Sequence, residues 1–438
     1  MTYSAAALLA AAAWLGSLAG PVQDLTDASP EASGDPTVLH FVTWKPDHPR
    51  VWEEAIARFT AAHPHIQVIR EIAPHSSTAY HDLLSQKLKN QDPTVDLFFM
   101  DVIWAPEFAA AGWVLPLEGF FPASAQAAFI PATIEAGTYG GHLYGVPSRI
   151  DVGMLYYRTD LLAKYGFRPP RTWDDLVHQA NTIVEGEVGG QPLLRGYSGQ
   201  FKQYEGLVCN MLEFIGSYGG RLLTADGQRA TLSRPETLEP VRFVRDRIIR
   251  RLATRAVLTY QESESLNLFI QGNAVFHRNW PYAWEIANNP SRSAIAGKAG
   301  VAALPTFPQG PTTSALGGWL YGLSAYSRHP EAAWQFIEFL SSEPMQKFFA
   351  VRAGLAPSRL SLFQDSDVLA ANPQFGEQAA VFRAAVARPR TPLYPAVSHV
   401  LQRYFSRALA FWDLDLEAEA ASADRQINDL LTLTRARR

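Results

Sequence analysis

The amino-acid sequence predicts an α/β protein whose folded part begins with a parallel, doubly wound sheet. Segments 38–43, 66–72 and 96–100 are short apolar runs rich in strand-forming residues. Between them, segments 50–62 and 79–89 carry apolar residues at helical spacing. This alternation of strands and helices indicates parallel strands, because parallel neighbours need a crossover, which is usually helical.

The rest of the chain continues the mixture of strands and helices. Segment 145–158 is predicted to be one strand that presents Arg149 and Asp151, two residues apart, on the same face. Thr172 precedes a helical segment and is predicted to cap it. The remaining predicted elements are a helix at 205–215 that ends at the glycines of 216–220, a strand at 273–284 that runs into an aromatic turn, a strand at 316–324, helices at 331–340 and 343–350, and a helical region at 398–433.

The composition excludes several classes of protein. With 438 residues, 47% of them hydrophobic, the chain can form two or three domains with ample core, at roughly 100–200 residues per domain. The net charge of −4 provides no basic surplus for nucleic acid. A single cysteine excludes an internal disulfide, and no apolar run reaches the ~18 residues of a membrane-spanning helix.

The first residues are typical of an export signal. Segment 5–18 is almost continuously apolar, and the small residues Ser17 and Ala19 fit a cleavage site after Ala19. We therefore predict a signal peptide at 1–19, a disordered polar leader at 20–37, and an exported protein that is periplasmic or extracellular. No cysteine lies near the cut, so a lipid anchor is not expected. The alternative interpretation of 5–18 is a buried alanine-rich helix.

Ligands of doubly wound sheets bind beyond the carboxyl ends of the strands. Here those ends are segments 43–48, 74–78 and 101–104, which are rich in groups that hydrogen-bond or stack. No glycine-rich phosphate loop follows any of the strands, so a nucleotide site is not supported. The histidines show no metal-binding spacing, so we expect neither a metal nor another cofactor.

Six stretches, in this order, resemble the extracellular sugar-binding proteins of ABC importers, in particular the trehalose/maltose-binding proteins. The stretches are DLFFMDVIWAPEFAAAGWVLPL at 96–117, PSRIDVGMLYYRTDLLAKYG at 147–166, KQYEGLVCNMLEFIGSYGG at 202–220, HRNWPYAW at 277–284, LGGWLYGLSAYSRHPEAAWQFIEF at 316–339 and RPRTPLYP at 388–395. The resemblance extends over about 38–430. It implies a two-lobe periplasmic binding protein fold, in which each lobe is a mostly parallel sheet flanked by helices.

The resemblance also implies a hinge that the chain crosses three times. The crossings are expected near 149–153, 317–323 and 353–358. Lobe one is then 38–149 plus 324–353, and lobe two is 152–316 plus 358–438. The expected protein is a monomer that binds a small sugar and delivers it to the permease subunits of an ABC importer in the membrane.

The residues expected to contact the sugar combine hydrogen-bonding and stacking groups. A sugar presents hydroxyls, which charged groups bind strongly, and an apolar ring face, which aromatic rings cover. The positions that match sugar contacts in the family are Asp101, Asp151, Trp280, Gly318, Trp319, Arg388 and Tyr394. Arg149 stands where the family usually has a tyrosine, which leaves the identity of the sugar open. Trp44 and His48, at the end of the first predicted strand, are further candidate contacts.

Other interpretations of these residues remain open at this point. Asp101 could cap the helix that follows it, Arg149 and Asp151 could form a structural pair, and Trp280 could belong to the core. Gly318 could simply form a turn. The cargo could be an oligosaccharide, a polyol or an anionic sugar. The chain could also be a glycoside hydrolase that uses Asp101 and Asp151 as acid and base.

Overall fold

The computed structural model describes residues 35–44, 48–74, 76–377, 379–383 and 385–435. The predicted signal peptide at 1–19 and nearly all of the leader at 20–37 lie outside these residues. The strands are β1 Thr37–Trp44, β2 Ile66–Ala73, β3 Leu97–Asp101, β4 Thr138–Tyr139, β5 His142–Leu143, β6 Val146–Val152, β7 Met154–Arg158, β8 Arg195–Ser198, β9 Ala274–Asn279, β10 Ala299–Ala302 and β11 Leu316–Leu323.

Helices flank these strands throughout the described chain. The α-helices are α1 Pro49–Ala62, α2 Ser77–Lys89, α3 Ala105–Ala110, α4 Ala123–Gln126, α5 Pro131–Ala136, α6 Thr159–Lys164, α7 Trp173–Glu187, α8 Glu205–Ser217, α9 Pro235–Phe243, α10 Glu262–Ile270, α11 Ala283–Asn288, α12 Pro330–Ser341, α13 Glu343–Ala353, α14 Ser366–Ala371, α15 Gln374–Glu377, α16 Ala379–Arg383, α17 Tyr394–Ala410 and α18 Leu416–Arg435. A π-helical turn at Val244–Ile249 continues α9, and two 3-10 turns lie at Arg255–Thr259 and Leu360–Gln364. None of the helices in the described ranges is both long and apolar enough to cross a membrane.

The first sheet has the strand order β2-β1-β3-β11-β6. β1 runs parallel to both β2 and β3, which confirms the parallel arrangement predicted for the first three strands. β11 runs antiparallel to both of its neighbours, β3 and β6. The carboxyl ends of β1 and β3 therefore meet at one edge of the sheet, and Trp44 and Asp101 are the last residues of these two strands.

The second sheet has the order β10-β7-β9-β8, in which β7 is antiparallel to both neighbours and β8 is parallel to β9. The two-lobe α/β fold is as predicted, and each sheet is mostly parallel in strand direction: β11 in the first sheet and β7 in the second each run opposite to all the other strands of their sheet. The chain leaves the first sheet along β6, passes into the second through Gly153, and returns along β11. Because β11 brings the chain back, it runs opposite to the strand that led out.

Three sequence predictions need correction in detail. Segment 145–158 is not one strand but two, because Gly153 separates β6 from β7. A side chain at Gly153 would collide with the buried pair of Glu213 and Arg278, so that only glycine fits at this position. The helical region 398–433 is two helices separated at 411–415, and the aromatic turn after β9 continues into α11.

Thr172 caps α7 as predicted. Its hydroxyl accepts the backbone N–H of Asp175 at 3.0 Å, and the Asp175 carboxylate accepts the backbone N–H of Thr172 at 3.0 Å. This reciprocal pair satisfies two donors that the first turn of a helix otherwise leaves open. Trp173, the first residue of α7, is then buried and stacks on Phe214.

Each sheet contributes to its own hydrophobic core. Around the first sheet, Phe41 of β1 packs on Phe99 of β3 and on Phe336 of α12. Around the second, α7, α8, α17 and α18 form a larger cluster that includes Trp173 and Tyr404. The chemistry-bearing residues lie where these two halves face each other.

Candidate ligand-binding cavity

A cavity lies between the strand ends of the first sheet and the elements around the second. Its empty volume, including the mouth open to solvent, is about 960 Å³. The predicted site residues that line it are Trp44, His48, Asp101, Arg149, Asp151, Trp280, Gly318, Trp319 and Arg388. The structure thus brings together side chains that are up to 344 positions apart in the sequence.

Arg388 connects two buried carboxylates in the cavity wall. Its Nη2 donates to Asp101 Oδ1 at 2.9 Å, and its Nη1 donates to Glu205 Oε1 at 2.9 Å. Asp101 belongs to β3 of the first sheet, and Glu205 begins α8 beside the second. The exposed fractions of the three residues are 3% for Arg388, 7% for Asp101 and 6% for Glu205. The arginine therefore links the two halves of the protein through a desolvated ion triad.

Tyr394 supports this triad from behind and is absent from the cavity wall. Its side chain is fully buried, and its hydroxyl donates to Glu205 Oε1 at 2.7 Å. Ser398, one helical turn further along α17, donates to the other carboxylate oxygen of Glu205. The structure thus places Tyr394 behind the cavity wall, where its hydroxyl fixes Glu205, and a direct contact with the sugar stays a prediction.

The environment of the triad affects its protonation. Burial raises the pKa of the Asp101 carboxyl, although the charge of Arg388 opposes this rise. Burial acts to lower the pKa of Arg388, but Asp101 and Glu205 together hold it well above its ordinary value. Asp101 also accepts the backbone N–H of Ile103 at 3.2 Å, and no side chain caps α3. Asp101 thus fixes the turn after β3 and does not cap the helix.

Arg149 and Asp151 form an ion pair within β6. Arg149 Nε donates to Asp151 Oδ2 at 3.0 Å, and both residues line the cavity. Asp151 Oδ1 is buried and has no hydrogen-bond partner among the described residues. The pair is therefore structural and also part of the cavity wall, and it leaves one carboxylate oxygen unsatisfied.

Aromatic side chains form two opposite walls of the cavity. On the first sheet, the rings of Trp44 and Trp319 lie 4.0 Å apart between centroids, and the Arg149 guanidinium lies over them at 4.8 and 5.8 Å. On the other side, Trp280 follows β9 directly, and the guanidinium of Arg278 lies 3.8 Å from its ring centroid. Trp280 is partly buried and lines the cavity, so part of the indole remains available to a ligand beside Arg278.

Trp280 is also held at its edge. Its Nε1 donates to Glu262 Oε1 at 3.3 Å, and Glu262 begins α10. Arg278 is fixed in turn by a fully buried ion pair with Glu213, in which its Nε donates to Glu213 Oε2 at 2.8 Å. The indole is thus pre-positioned by two charged neighbours, which reduces the conformational entropy that a ligand must overcome.

Glycine is required in β11 where this strand passes the cavity. Gly318 has a φ of +126°, and a side chain there would approach Arg149 O to 2.6 Å. Gly317 lies against the ring of Trp280 and the side chain of Asp151. The close contact at Gly318 that the structure describes is therefore with the backbone of β6.

Several lining residues were not predicted as site residues. Glu205 and Glu262 each stand at the first position of a helix, where a carboxylate is common without any function. Cys209 also lines the cavity, and burial raises the pKa of its thiol to about 12, so that it stays protonated. No group of side chains in the described ranges has the geometry of a metal site.

Comparisons with known proteins agree on one kind of protein. A profile of the family described as bacterial extracellular solute-binding protein matches residues 45–347. A probable ABC transporter-binding protein of Deinococcus radiodurans is 40% identical over 73% of this chain and 75% of its own length. The maltose-bound structure of T. maritima MalE3 is 34% identical, with a TM-score of 0.83, and covers 91% of this chain and 100% of its own. A solute-binding protein of Thermotoga lettingae with bound α-D-tagatose is 26% identical, with a TM-score of 0.82, over 90% of this chain and 100% of its own.

Proposed function

The chain belongs to the family of bacterial extracellular solute-binding proteins, and we propose that it is the sugar receptor of an ABC importer. It binds a disaccharide of the trehalose or maltose type between its two lobes and delivers it to the membrane permease. The observation that carries this proposal is the cavity itself. It has tryptophan rings on two facing walls and a set of ion-paired carboxylates and guanidiniums between them.

This arrangement matches the chemistry of a carbohydrate. Trp280 and the pair of Trp44 and Trp319 offer apolar surface to the C–H faces of sugar rings. Asp151 Oδ1 offers an acceptor, and Arg388 Nε, which has no partner among the described residues, offers a donor. Sugar hydroxyls suit both kinds of group, because a hydroxyl donates and accepts. The cavity thus supplies stacking and hydrogen bonding together.

The charges favour a neutral sugar over an anionic one. An anionic cargo would need an unpaired cation in the cavity. Arg149 does not provide one, because its Nε donates to Asp151 at 3.0 Å. Arg388 is likewise matched by Asp101 and Glu205. A carboxylate or phosphate on the ligand would have to compete with these buried partners. Oligosaccharides and polyols are neutral cargoes as well, and a comparison of the melting temperatures that they and disaccharides produce distinguishes between them.

The lobes of this receptor are proposed to be 38–149 with 324–353, and 152–316 with 358–438. The direct passage from β6 to β7 through Gly153 supports a crossing at 149–153, and the return along β11 supports the one at 317–323. We propose that the working protein acts outside the cytoplasm as a monomer.

We expect disaccharides to raise the melting temperature of the purified protein. A ligand that binds only the folded state adds about 2.7 kcal/mol of stability at 100 times its dissociation constant. Differential scanning fluorimetry against trehalose, maltose, maltotriose, monosaccharides, polyols and amino acids checks this. The largest shift is expected for a disaccharide. A shift produced by an amino acid, with none from any carbohydrate, would contradict the proposal.

Bound disaccharide is expected to remain intact. A glycosidase needs a protonated carboxyl on one side of the scissile bond and a free carboxylate on the other. In this cavity Asp101 is bound to Arg388 and Asp151 to Arg149. Chromatography after prolonged incubation with trehalose or maltose should therefore detect no glucose. Release of glucose by the wild type, abolished in Asp101→Asn, would instead favour the hydrolase alternative.

A further inference from the structure

The negative and positive charges of the side chains that line the cavity do not cancel. Among its described lining residues, four carboxylates face two guanidiniums: Asp101, Asp151, Glu205 and Glu262 against Arg149 and Arg388. His48 also lines the cavity, but Glu285 lies 3.5 Å from its Nε2 and would compensate its charge on protonation. The lining therefore has a surplus of negative charge. This surplus persists even when Asp101 carries a proton, since three carboxylates then face two guanidiniums.

Part of this negative charge lies on one carboxylate oxygen that has no hydrogen-bond partner. Asp151 is only 6% exposed, and its Oδ2 is occupied by Arg149 Nε at 3.0 Å. Its Oδ1 has no partner among the described residues. A buried acceptor without a donor costs free energy, and the cost is larger for a charged group. A ligand that donates to Asp151 Oδ1 removes this cost.

We propose, on the basis of the sugar-receptor function above, that the cavity prefers sugars bearing a protonated amine at the position that meets Asp151. A hydroxyl that donates to the Asp151 carboxylate makes a charge-assisted hydrogen bond. An ammonium at the same place makes such a bond and adds a direct attraction between opposite charges. It also offsets the surplus of negative charge in the lining, which a hydroxyl does not. A carboxylate or phosphate on the sugar is repelled by the surplus of negative charge, and the arginines that could bind it are already paired with carboxylates of the protein.

The preference depends on position. Transfer of an ammonium from water into a cavity is unfavourable unless a carboxylate pairs with it. A derivative with its amine against Trp280 or Trp319 therefore gains nothing. Only the amine that reaches Asp151 Oδ1 is expected to improve binding, which separates a specific contact from a general attraction of cations.

The test is isothermal titration calorimetry on the full protein at about pH 6, below the pKa of an alkylamine. The probes are maltose and trehalose, the derivatives in which one hydroxyl is replaced by an amine at each position in turn, and the corresponding uronic acids. One amino derivative is expected to bind about 10-fold more tightly than its parent, which corresponds to about 1.4 kcal/mol. The uronic acids are expected to bind more weakly than the parent.

The variant Asp151→Asn keeps the shape of the side chain and removes its charge. In this variant the amino derivative and its neutral parent should bind with similar affinities, and the penalty on the uronic acids relative to the parent should decrease. Glu135→Gln removes an exposed carboxylate outside the cavity and should change neither preference.

The comparison of probes on the wild type needs no variant, so poor folding of Asp151→Asn cannot hide the answer. If every amino derivative binds no better than its parent, or if a uronic acid binds better, the inference is wrong although the receptor function stands. If the amine preference survives unchanged in a folded Asp151→Asn, Asp151 is not its source, and the inference is equally wrong. If no carbohydrate of any charge binds, the proposed function is wrong, and the inference, which rests on it, is wrong as well.

Discussion

Replacement of Trp280 by alanine is expected to weaken binding of the preferred sugar by about 2–4 kcal/mol, the range of a buried aromatic anchor. The indole is fixed before the ligand arrives, by Arg278 at 3.8 Å from its ring and by Glu262 at 3.3 Å from its Nε1. A sugar ring that stacks on this indole therefore buries apolar surface without ordering a mobile side chain. Calorimetry on the wild type and on Trp280→Ala measures the difference.

Two control variants make this prediction specific to the cavity. Trp280→Phe keeps an aromatic face and should retain most of the affinity. Trp412 is 43% exposed, is stacked with Arg250 at 4.6 Å, and is not among the residues that line the cavity. Trp412→Ala should therefore leave sugar binding unchanged. A loss below about 0.5 kcal/mol in Trp280→Ala would mean that Trp280 belongs to the core or the rim of the cavity and is not a platform.

The early part of the fold could be predicted because its signals are local. The hydrophobic residues recur at strand spacing in β1, β2 and β3 and at helical spacing in α1 and α2. Strands that are connected through helices can be arranged in only a few sheet topologies. The break at Gly153 could not be predicted in this way. The need for glycine at this position depends on the pair of Glu213 and Arg278, which lie far along the chain and pack against it.

The site was predicted in part for a similar reason. Trp44 and Asp101 end neighbouring parallel strands, so topology alone places them at one edge. Glu205 had no such signal, since its partner Arg388 is 183 positions away and the pair forms only in the folded protein. The role of Tyr394 depends on the same carboxylate. The resemblance to a family locates Arg388, but the contacts it makes come from the tertiary structure.

Replacement of Asp101 by alanine is expected to abolish ligand-induced closure of the two lobes. The carboxylate belongs to the first sheet and is bound to Arg388, which is also bound to Glu205 beside the second sheet. Removal of one partner from a buried ion pair typically costs about 3–5 kcal/mol. To shift a population from 1:99 to 99:1 closed, a ligand needs about 5.5 kcal/mol of differential binding. Because the pair of Asp101 and Arg388 joins the two lobes, its loss weakens the closed form, and the size of this loss is comparable to the differential binding that closure requires.

Small-angle X-ray scattering with and without the preferred sugar measures this effect. The wild type should become more compact at saturating sugar, and Asp101→Ala should keep the same radius of gyration and bind the sugar only weakly.

The matched control is Glu135→Ala. It removes the carboxylate partner of Arg390, which lies in the same segment of the chain as Arg388. The carboxylate of Glu135 is 74% exposed, and Arg390 keeps its bonds to the backbone oxygens of Glu135 and Thr138. An exposed pair contributes only about 0–1 kcal/mol, so this variant should close like the wild type. A wild type with an unchanged radius of gyration at saturating sugar would contradict the receptor mechanism, because an importer must distinguish loaded from empty receptor by such a change of shape.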